Sequence, residues 1–218
     1  MYRSSKCRPA SVADMNRIER DIAPGKALAD IAGVHALTDV TGFGLLGHAR
    51  EMAPQGMDID ILSIDGLPAF NEDLEDGGYP VGVQMLRDRI EACQGVLIAT
   101  PEYNHGIPGV LKNAIDWLSR GKDSPLKGKP LAIMGASSGK VGTARAQMQM
   151  REMGHYLSMP VLPGIEVAVG PAKGAFDDNL RLTDDTAREK LAGLLAAFDA
   201  WIPLHVPAAR KQQEGTAA

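Results

Sequence analysis

Two glycine-rich loops carry the residues most suited to chemistry. The loop Pro101-Glu-Tyr-Asn-His-Gly-Ile-Pro-Gly109 follows the apolar run GVLIAT, and the loop Gly135-Ala-Ser-Ser-Gly-Lys-Val-Gly142 follows the apolar run PLAIM. Both loops offer glycines, polar side chains and free backbone amides. Such amides can donate hydrogen bonds to the carbonyl and ring-nitrogen edge of a planar ligand, and a helix that begins after each loop adds positive potential. The pattern therefore predicts a ligand site built largely from backbone groups.

The elements around these loops predict an α/β fold. The runs Gly95–Thr100 and Pro130–Met134 are continuously apolar, as strands buried on both faces must be. Strands alternate with segments of helical periodicity, which predicts a doubly wound parallel sheet with its ligand site beyond the carboxyl ends of the strands. Further strands are predicted at Val34–Val40, Asp58–Ile64 and Val161–Val169. Helices are predicted at Leu45–Met52, around Val83–Cys93, and at Val110–Ser119, Thr143–Tyr156 and Asp184–Trp201.

Composition narrows the range of partners. The 218 residues carry a net charge of −4, and the pI is about 5.7, so no basic surface is expected to attract nucleic acid. No apolar run approaches the roughly 20 residues of a membrane span, and the N-terminus has no apolar signal core. The two cysteines, Cys7 and Cys93, lie in unlike contexts, which favours a reducing cytoplasm over a disulfide framework. We expect a cytoplasmic protein that binds neither nucleic acid nor membrane.

Three segments carry a resemblance to a known family. The sequences ATPEYNHGIPGVLKNAIDWLSR (99–120) and GKPLAIMGASSGKVGTARAQ (128–147) resemble the two flavin loops of the NAD(P)H-dependent FMN reductases, a group that includes quinone, azo-dye and chromate reductases. The segment LPAFNEDLE (67–75) resembles the part that follows the second strand of that family. The resemblance extends from about Asp58 to about Ile202. It implies a flavodoxin-like fold with FMN and NAD(P)H as cofactors.

The resemblance also implies roles for individual residues. The isoalloxazine ring would be lined by Pro101, Glu102, Tyr103, Asn104, His105 and Gly106, and the second flavin loop would include Ser137, Ser138 and Gly139. The cofactor would carry electrons from NAD(P)H to flavin, quinone or a similar small-molecule acceptor, so no side chain is expected to be catalytic. Glu102 would contribute its backbone amide rather than its carboxylate. Because the family forms dimers and tetramers, a homodimer or homotetramer is expected.

The N-terminal part resembles a different family. Within residues 13–56, the sequence VHALTDVTGFGLLGHAREMA (34–53) resembles a stretch of selenide, water dikinase, in which the aspartate matching Asp39 helps to hold magnesium. The catalytic Cys or Sec, the lysine and the glycine-rich loop of that kinase are absent. The first strand, phosphate loop and first helix usual in the reductases are not found either. The chain is therefore interpreted as a junction near Met57, with a kinase-like segment at 1–56, a reductase domain at 57–204 and a disordered tail at 205–218.

The kinase-like segment has the order strand, turn, helix, which is the order that the missing reductase element would supply. We therefore expect Val34–Val40 to replace the central strand and Thr41, Gly42 and Gly44 to lie at the phosphate end. The segment Gly42-Phe-Gly44-Leu-Leu-Gly47 also spells G-x-G-x-x-G.

Two other functions remain open from the sequence. The first is a flavin-fold remnant without catalysis, because the loss of two charge-assisted bonds to the phosphate, at about 1.5–3 kcal/mol each, would weaken FMN binding by about two to four orders of magnitude. The second is ATP-dependent selenophosphate synthesis derived from the N-terminal segment. A colourless protein that FMN does not stabilise would favour the first, and magnesium-dependent ATP binding would favour the second.

Overall fold

The computed structural model describes residues 34–38, for which only the backbone is described, and residues 45–206. Five parallel strands form one sheet in the spatial order β2-β1-β3-β4-β5. The strands are β1 (Val34–Thr38), β2 (Ile59–Ser63), β3 (Gly95–Ala99), β4 (Leu131–Ala136) and β5 (Val167–Val169). This is the strand order of flavodoxin-like sheets, and the expected fold class is confirmed.

Six α-helices are described between and after the strands: α1 (Leu45–Glu51), α2 (Glu72–Asp76), α3 (Val81–Ala92), α4 (Gly109–Leu118), α5 (Ala144–Tyr156) and α6 (Asp185–His205). A short 3-10 helix spans Ala172–Gly174. None of the described helices is long and apolar enough to cross a membrane. All of these α-helices except α2 were predicted from the sequence.

Strand β1 lies in the interior of the sheet, where Val34–Val40 was predicted to replace the missing strand. Val34 is paired with Ile59 of β2 on one side and with Gly95 of β3 on the other, and both ladders are parallel. The residues that follow, 39–44, lie outside the described residues, and so do the expected phosphate-end residues Thr41, Gly42 and Gly44. The helix predicted in the first thirty residues also lies outside them.

The sheet separates two hydrophobic clusters. In β3, Leu97 and Ala99 face the cluster that includes α1 and α6, whereas Val96 and Ile98 face the cluster that includes α3, α4 and α5. All five residues of β3 and all six of β4 are buried. Their apolar runs are explained by this burial, because both faces of each strand are covered by helices.

Three elements differ from the sequence prediction. Only Val167–Val169 of the extended segment Val161–Val169 forms a strand, while Val161 makes an isolated bridge to Leu131. Helix α2 was not predicted; Asn71 begins it by accepting a hydrogen bond from the Asp73 amide at 2.8 Å. Helix α6 continues past Trp201 to His205, and residues 207–218 lie outside the described part of the chain.

Candidate active site

The two glycine-rich loops lie side by side at the carboxyl ends of β3 and β4, next to the point where the strand order changes direction between β1 and β3. They border an open depression with a volume of ≈ 400 Å³. The depression is lined by Glu102, Asn104, His105, Ser137, Ser138, Gly139, Lys140, Val141, Gly142 and Arg145. The structure thus brings together six of the nine described residues that were predicted for this site; Pro101, Tyr103 and Gly106 belong to the first loop without lining the depression.

The first loop is a tight two-residue hairpin. The amide of Tyr103 donates to the carbonyl of Gly106 at 2.9 Å, and the amide of Gly106 donates to the carbonyl of Tyr103 at 2.9 Å. The two residues between them, Asn104 and His105, have positive φ angles of 49° and 65°. This is the pattern of a type I′ turn, in which asparagine is common at the first central position and glycine, rather than histidine, at the second. The tip of the loop is exposed.

Glu102 joins the first loop to the beginning of α5. Its Oε2 accepts hydrogen bonds from the amides of Arg145 at 2.9 Å and Ala146 at 3.1 Å, and its Oε1 accepts one from Arg145 Nη1 at 3.1 Å. The Glu102 side chain is only 7% exposed, whereas that of Arg145 is 45% exposed. Glu102 was expected to contribute its backbone amide rather than its carboxylate, yet in the structure the carboxylate accepts three hydrogen bonds.

The ionisation of Glu102 follows from these contacts. Burial raises the pKa of the carboxyl group, but the hydrogen bonds from the Ala146 and Arg145 amides and from the Arg145 guanidinium, together with the positive charge of Arg145, lower it further than burial raises it. The net pKa lies below the ordinary value of 4.5. Glu102 is therefore ionised at neutral pH, and its charge is held against the positive end of a helix.

The second loop packs closely on neighbouring backbone. Gly142 has φ +60°, and a Cβ at this position would lie 2.5 Å from the Ala168 carbonyl oxygen. A Cβ at Gly170 would overlap the Gly139 carbonyl oxygen, and one at Gly135 would overlap the Thr100 carbonyl oxygen. The glycines at 135, 142 and 170 therefore allow the ends of β3, β4 and β5 to approach one another. They are required by packing.

The rim of the site offers unused donors. In the part of the chain that the structure describes, the amides of Ser138, Gly139 and Lys140 donate no hydrogen bond, and neither do those of Asn104 and His105. Ser137 is different, because its amide donates to Val169 O at 3.0 Å and its carbonyl accepts from the Ala172 amide at 2.9 Å. Free amides from two loops that face one depression are the donor set that the polar edge of a flavin requires. The residues present therefore fit FMN.

Two further residues of this region, Arg145 and Gln149, were not predicted from the sequence as site residues. Arg145 lines the depression, and Gln149 Oε1 accepts the Ile107 amide at 3.0 Å. Both residues lie on α5, more than forty positions after the loop that they contact. No local spacing in the sequence relates them to it, so only the tertiary structure reveals the contact.

Comparison with known proteins identifies the family. The model of the family described as NADPH-dependent FMN reductase matches residues 38–174. The chain belongs to this family. An NAD(P)H-dependent FMN reductase of Pseudomonas aeruginosa is 45% identical over 157 residues, which cover 72% of this chain and 85% of that protein. A quinone reductase of Escherichia coli is 38% identical over 155 residues, covering 70% of this chain and 82% of that protein.

A solved structure supports the same assignment. The flavoenzyme NAD(P)H:(acceptor) oxidoreductase of Paracoccus denitrificans superposes with a TM-score of 0.72 at 31% identity, over 80% of this chain and 99% of that chain. The protein is therefore an oxidoreductase, and the expected cofactors, FMN and NAD(P)H, are confirmed by the family. The family match begins at Thr38, ahead of the junction predicted near Met57.

Proposed function

We propose that this FMN reductase passes electrons from NAD(P)H through FMN to a quinone or a similar small-molecule acceptor, with FMN held between the two glycine-rich loops. The observation that carries the proposal is the set of unused amides at Asn104, His105 and Ser138–Lys140, which surround a single depression. The names of the relatives support the acceptor class, since several are quinone reductases.

The chain's own residues would bind and orient the reactants. Bound FMN would supply the redox chemistry for the overall conversion of NAD(P)H, a proton and a quinone into NAD(P)⁺ and a quinol. The amides of the second loop would hold the polar edge of the ring, and the hairpin from Pro101 to Gly106 would lie along it. The charge of Arg145 is balanced by Glu102, so Lys140 leaves a net positive charge beside the depression, which favours an anionic nicotinamide cofactor.

The phosphate end of FMN is proposed to lie at Thr41, Gly42 and Gly44. The support is topological: β1 ends at Thr38 next to β3, and α1 begins at Leu45, so the connection between them starts at the edge of the sheet that carries both loops. We also propose that residues 1–56 derive from a selenide, water dikinase and join the reductase domain near Met57. Substituting Gly44→Val is expected to weaken FMN binding; an unchanged dissociation constant would remove the phosphate assignment.

The proposal also covers the oligomeric state of the protein and its cellular compartment. We propose a homodimer or homotetramer in the cytoplasm. Val81 and Met85 of α3 are 77% and 64% exposed, and Val110 of α4 is 51% exposed, which supports an interface between subunits on this side of the sheet. Light scattering coupled to size-exclusion chromatography would give the mass, and a monomer at micromolar concentration would contradict the assembly.

FMN titration of the purified apo-protein tests the central claim. We expect stoichiometric quenching of flavin fluorescence with a dissociation constant in the micromolar range or below, followed by NAD(P)H oxidation once a quinone is added. Binding that is absent or only millimolar would favour the flavin-fold remnant. Binding without NAD(P)H oxidation would keep the site and reject the reductase activity.

A further inference from the structure

Helix α5 lacks the cap that its own sequence could provide. Thr143 precedes the helix, yet its side chain makes no capping hydrogen bond. Its Oγ1 instead accepts a hydrogen bond from the side chain of Gln147 at 3.0 Å. Threonine is a good N-cap residue, so the first amides of α5 would be expected to bind Thr143. They are satisfied from elsewhere.

The cap comes from the other loop. Glu102, one residue before the hairpin, accepts the amides of Arg145 and Ala146 with a single oxygen, and the Arg145 guanidinium holds the second oxygen. A carboxylate at a helix N-terminus interacts favourably with the helix dipole. Here the interaction has a second effect, because the carboxylate lies in the first loop and the helix directly follows the second loop. The contact fixes the distance between those loops.

A second contact fastens the far end of the hairpin. Gln149 lies one turn after Arg145 on α5, and its Oε1 accepts the Ile107 amide at 3.0 Å. A Cβ at Gly106 would lie 2.8 Å from the same oxygen, so Gly106 allows the side chain of Gln149 to approach. Between the two fastened points, the paired amides and carbonyls of Tyr103 and Gly106 close the turn. The segment 102–107 is thus held at both ends by one helix.

We propose that Glu102, assisted by Gln149, is a positioning residue that sets the hairpin in its FMN-binding arrangement before the cofactor arrives. The proposal rests on the proposed placement of FMN between the two loops. A loop that is already ordered loses less conformational entropy on binding, so affinity rises without any contact between the Glu102 carboxylate and the ligand. Loss of the carboxylate frees the hairpin and leaves the sheet intact.

The matched control is Asp184, which caps α6 by accepting the Ala187 amide at 2.7 Å and, among the described residues, makes no hydrogen bond to either loop. Glu102→Ala and Asp184→Ala each remove a carboxylate from a helix N-terminus, so both should lower the melting temperature of the apo-protein. Hydrogen exchange of the apo-protein then separates them. In Glu102→Ala, the amides of Tyr103 and Gly106 should exchange at least 10-fold faster, whereas in Asp184→Ala they should keep the wild-type rate.

FMN titration completes the test. We expect the dissociation constant to rise about 10- to 100-fold in Glu102→Ala, less in Glu102→Gln, which keeps one acceptor oxygen, and not at all in Asp184→Ala. Gln149→Leu should show the same direction as Glu102→Ala. Unchanged exchange and unchanged affinity in Glu102→Ala would overturn the positioning role. Wild-type protein that fails to bind FMN would instead overturn the proposed function, and the exchange of the apo-protein would still report whether Glu102 orders the loop.

Discussion

His105 is a non-glycine residue in a conformation that favours glycine. Its φ of 65° belongs to the left-handed region, which costs an ordinary side chain about 1–2 kcal/mol. The hairpin contacts at Tyr103 and Gly106 hold it there. Strain of this kind is concentrated at functional sites, and here it accompanies an exposed imidazole at the rim of the depression.

The substitution His105→Gly tests whether the imidazole itself is needed. Relief of the left-handed strain is opposed by the greater freedom of glycine in the unfolded chain, so the free energy of unfolding should change by about 1 kcal/mol or less. We expect FMN affinity and turnover within about threefold of wild type, because hydride transfer through a flavin needs no protein acid. Asn104→Gly is the matched control. A tenfold loss of turnover with unchanged FMN affinity would show that the imidazole takes part.

Glu102 makes the site sensitive to acid. Its pKa is lower in the folded protein than the ordinary 4.5, so its stabilising contribution is complete above that value and is lost as the pH falls through the lowered pKa. The apo-protein should therefore lose melting temperature below about pH 4.5 more steeply than Glu102→Gln does. Thermal melts at intervals from pH 3 to pH 6 would show this. Parallel curves for the two proteins would contradict it.

At the scale of the element, helix α4 depends on a buried cation at its end. Arg87 is only 4% exposed, and its Nη1 donates to the carbonyls of Trp117 and Leu118 at 3.3 Å and of Arg120 at 3.2 Å. The last carbonyls of a helix have no partner within the helix, and the negative end of the dipole favours a positive charge. The guanidinium also lies 4.2 Å from the centre of the Tyr79 ring. Arg87 thus ties α3 to the end of α4.

Arg87→Met should destabilise the protein by about 2–4 kcal/mol, because it leaves carbonyl groups without their donor in a buried position. Chemical denaturation of the apo-protein would measure the change. Arg89→Met, two positions after Arg87 on α3 and half-exposed in an ion pair with Asp60, is the control and should cost about 1 kcal/mol or less. Equal losses in both variants would reject the capping role of Arg87.

Strong periodicity made most elements predictable. The strands β3 and β4 follow from uninterrupted apolar runs, and α3 follows from the stripe Val83, Leu86 and Ile90, all of which are buried. Helix α2 has no buried residue and therefore no apolar pattern to read. Arg87 could not be predicted as buried, since a charged residue within a helix is usually solvated. The contact between Glu102 and Arg145 depends on the sheet that brings two loops together.

At the scale of the whole molecule, motifs predicted the family, and the order of elements predicted the position of β1 in the sheet. The reductase family was recognised from the motifs of the two loops, and the family match over residues 38–174 confirms the family. The central strand was inferred from the order of elements alone, and its pairing with β2 and β3 confirms that inference. Sequence order was sufficient here because a parallel sheet needs a strand on each side of a crossover.

The interior position of β1 also has a consequence during protein synthesis. Its backbone is paired on one side with β2 and on the other with β3, which begins only at Gly95. The strand leaves the ribosome before both of its partners, so one of its edges stays unpaired until Ala99 has emerged. Such non-local pairing slows folding and leaves an open strand edge to which another nascent chain can bind. Pausing of translation before Gly95 would therefore prolong the interval in which this chain is most exposed to misassembly.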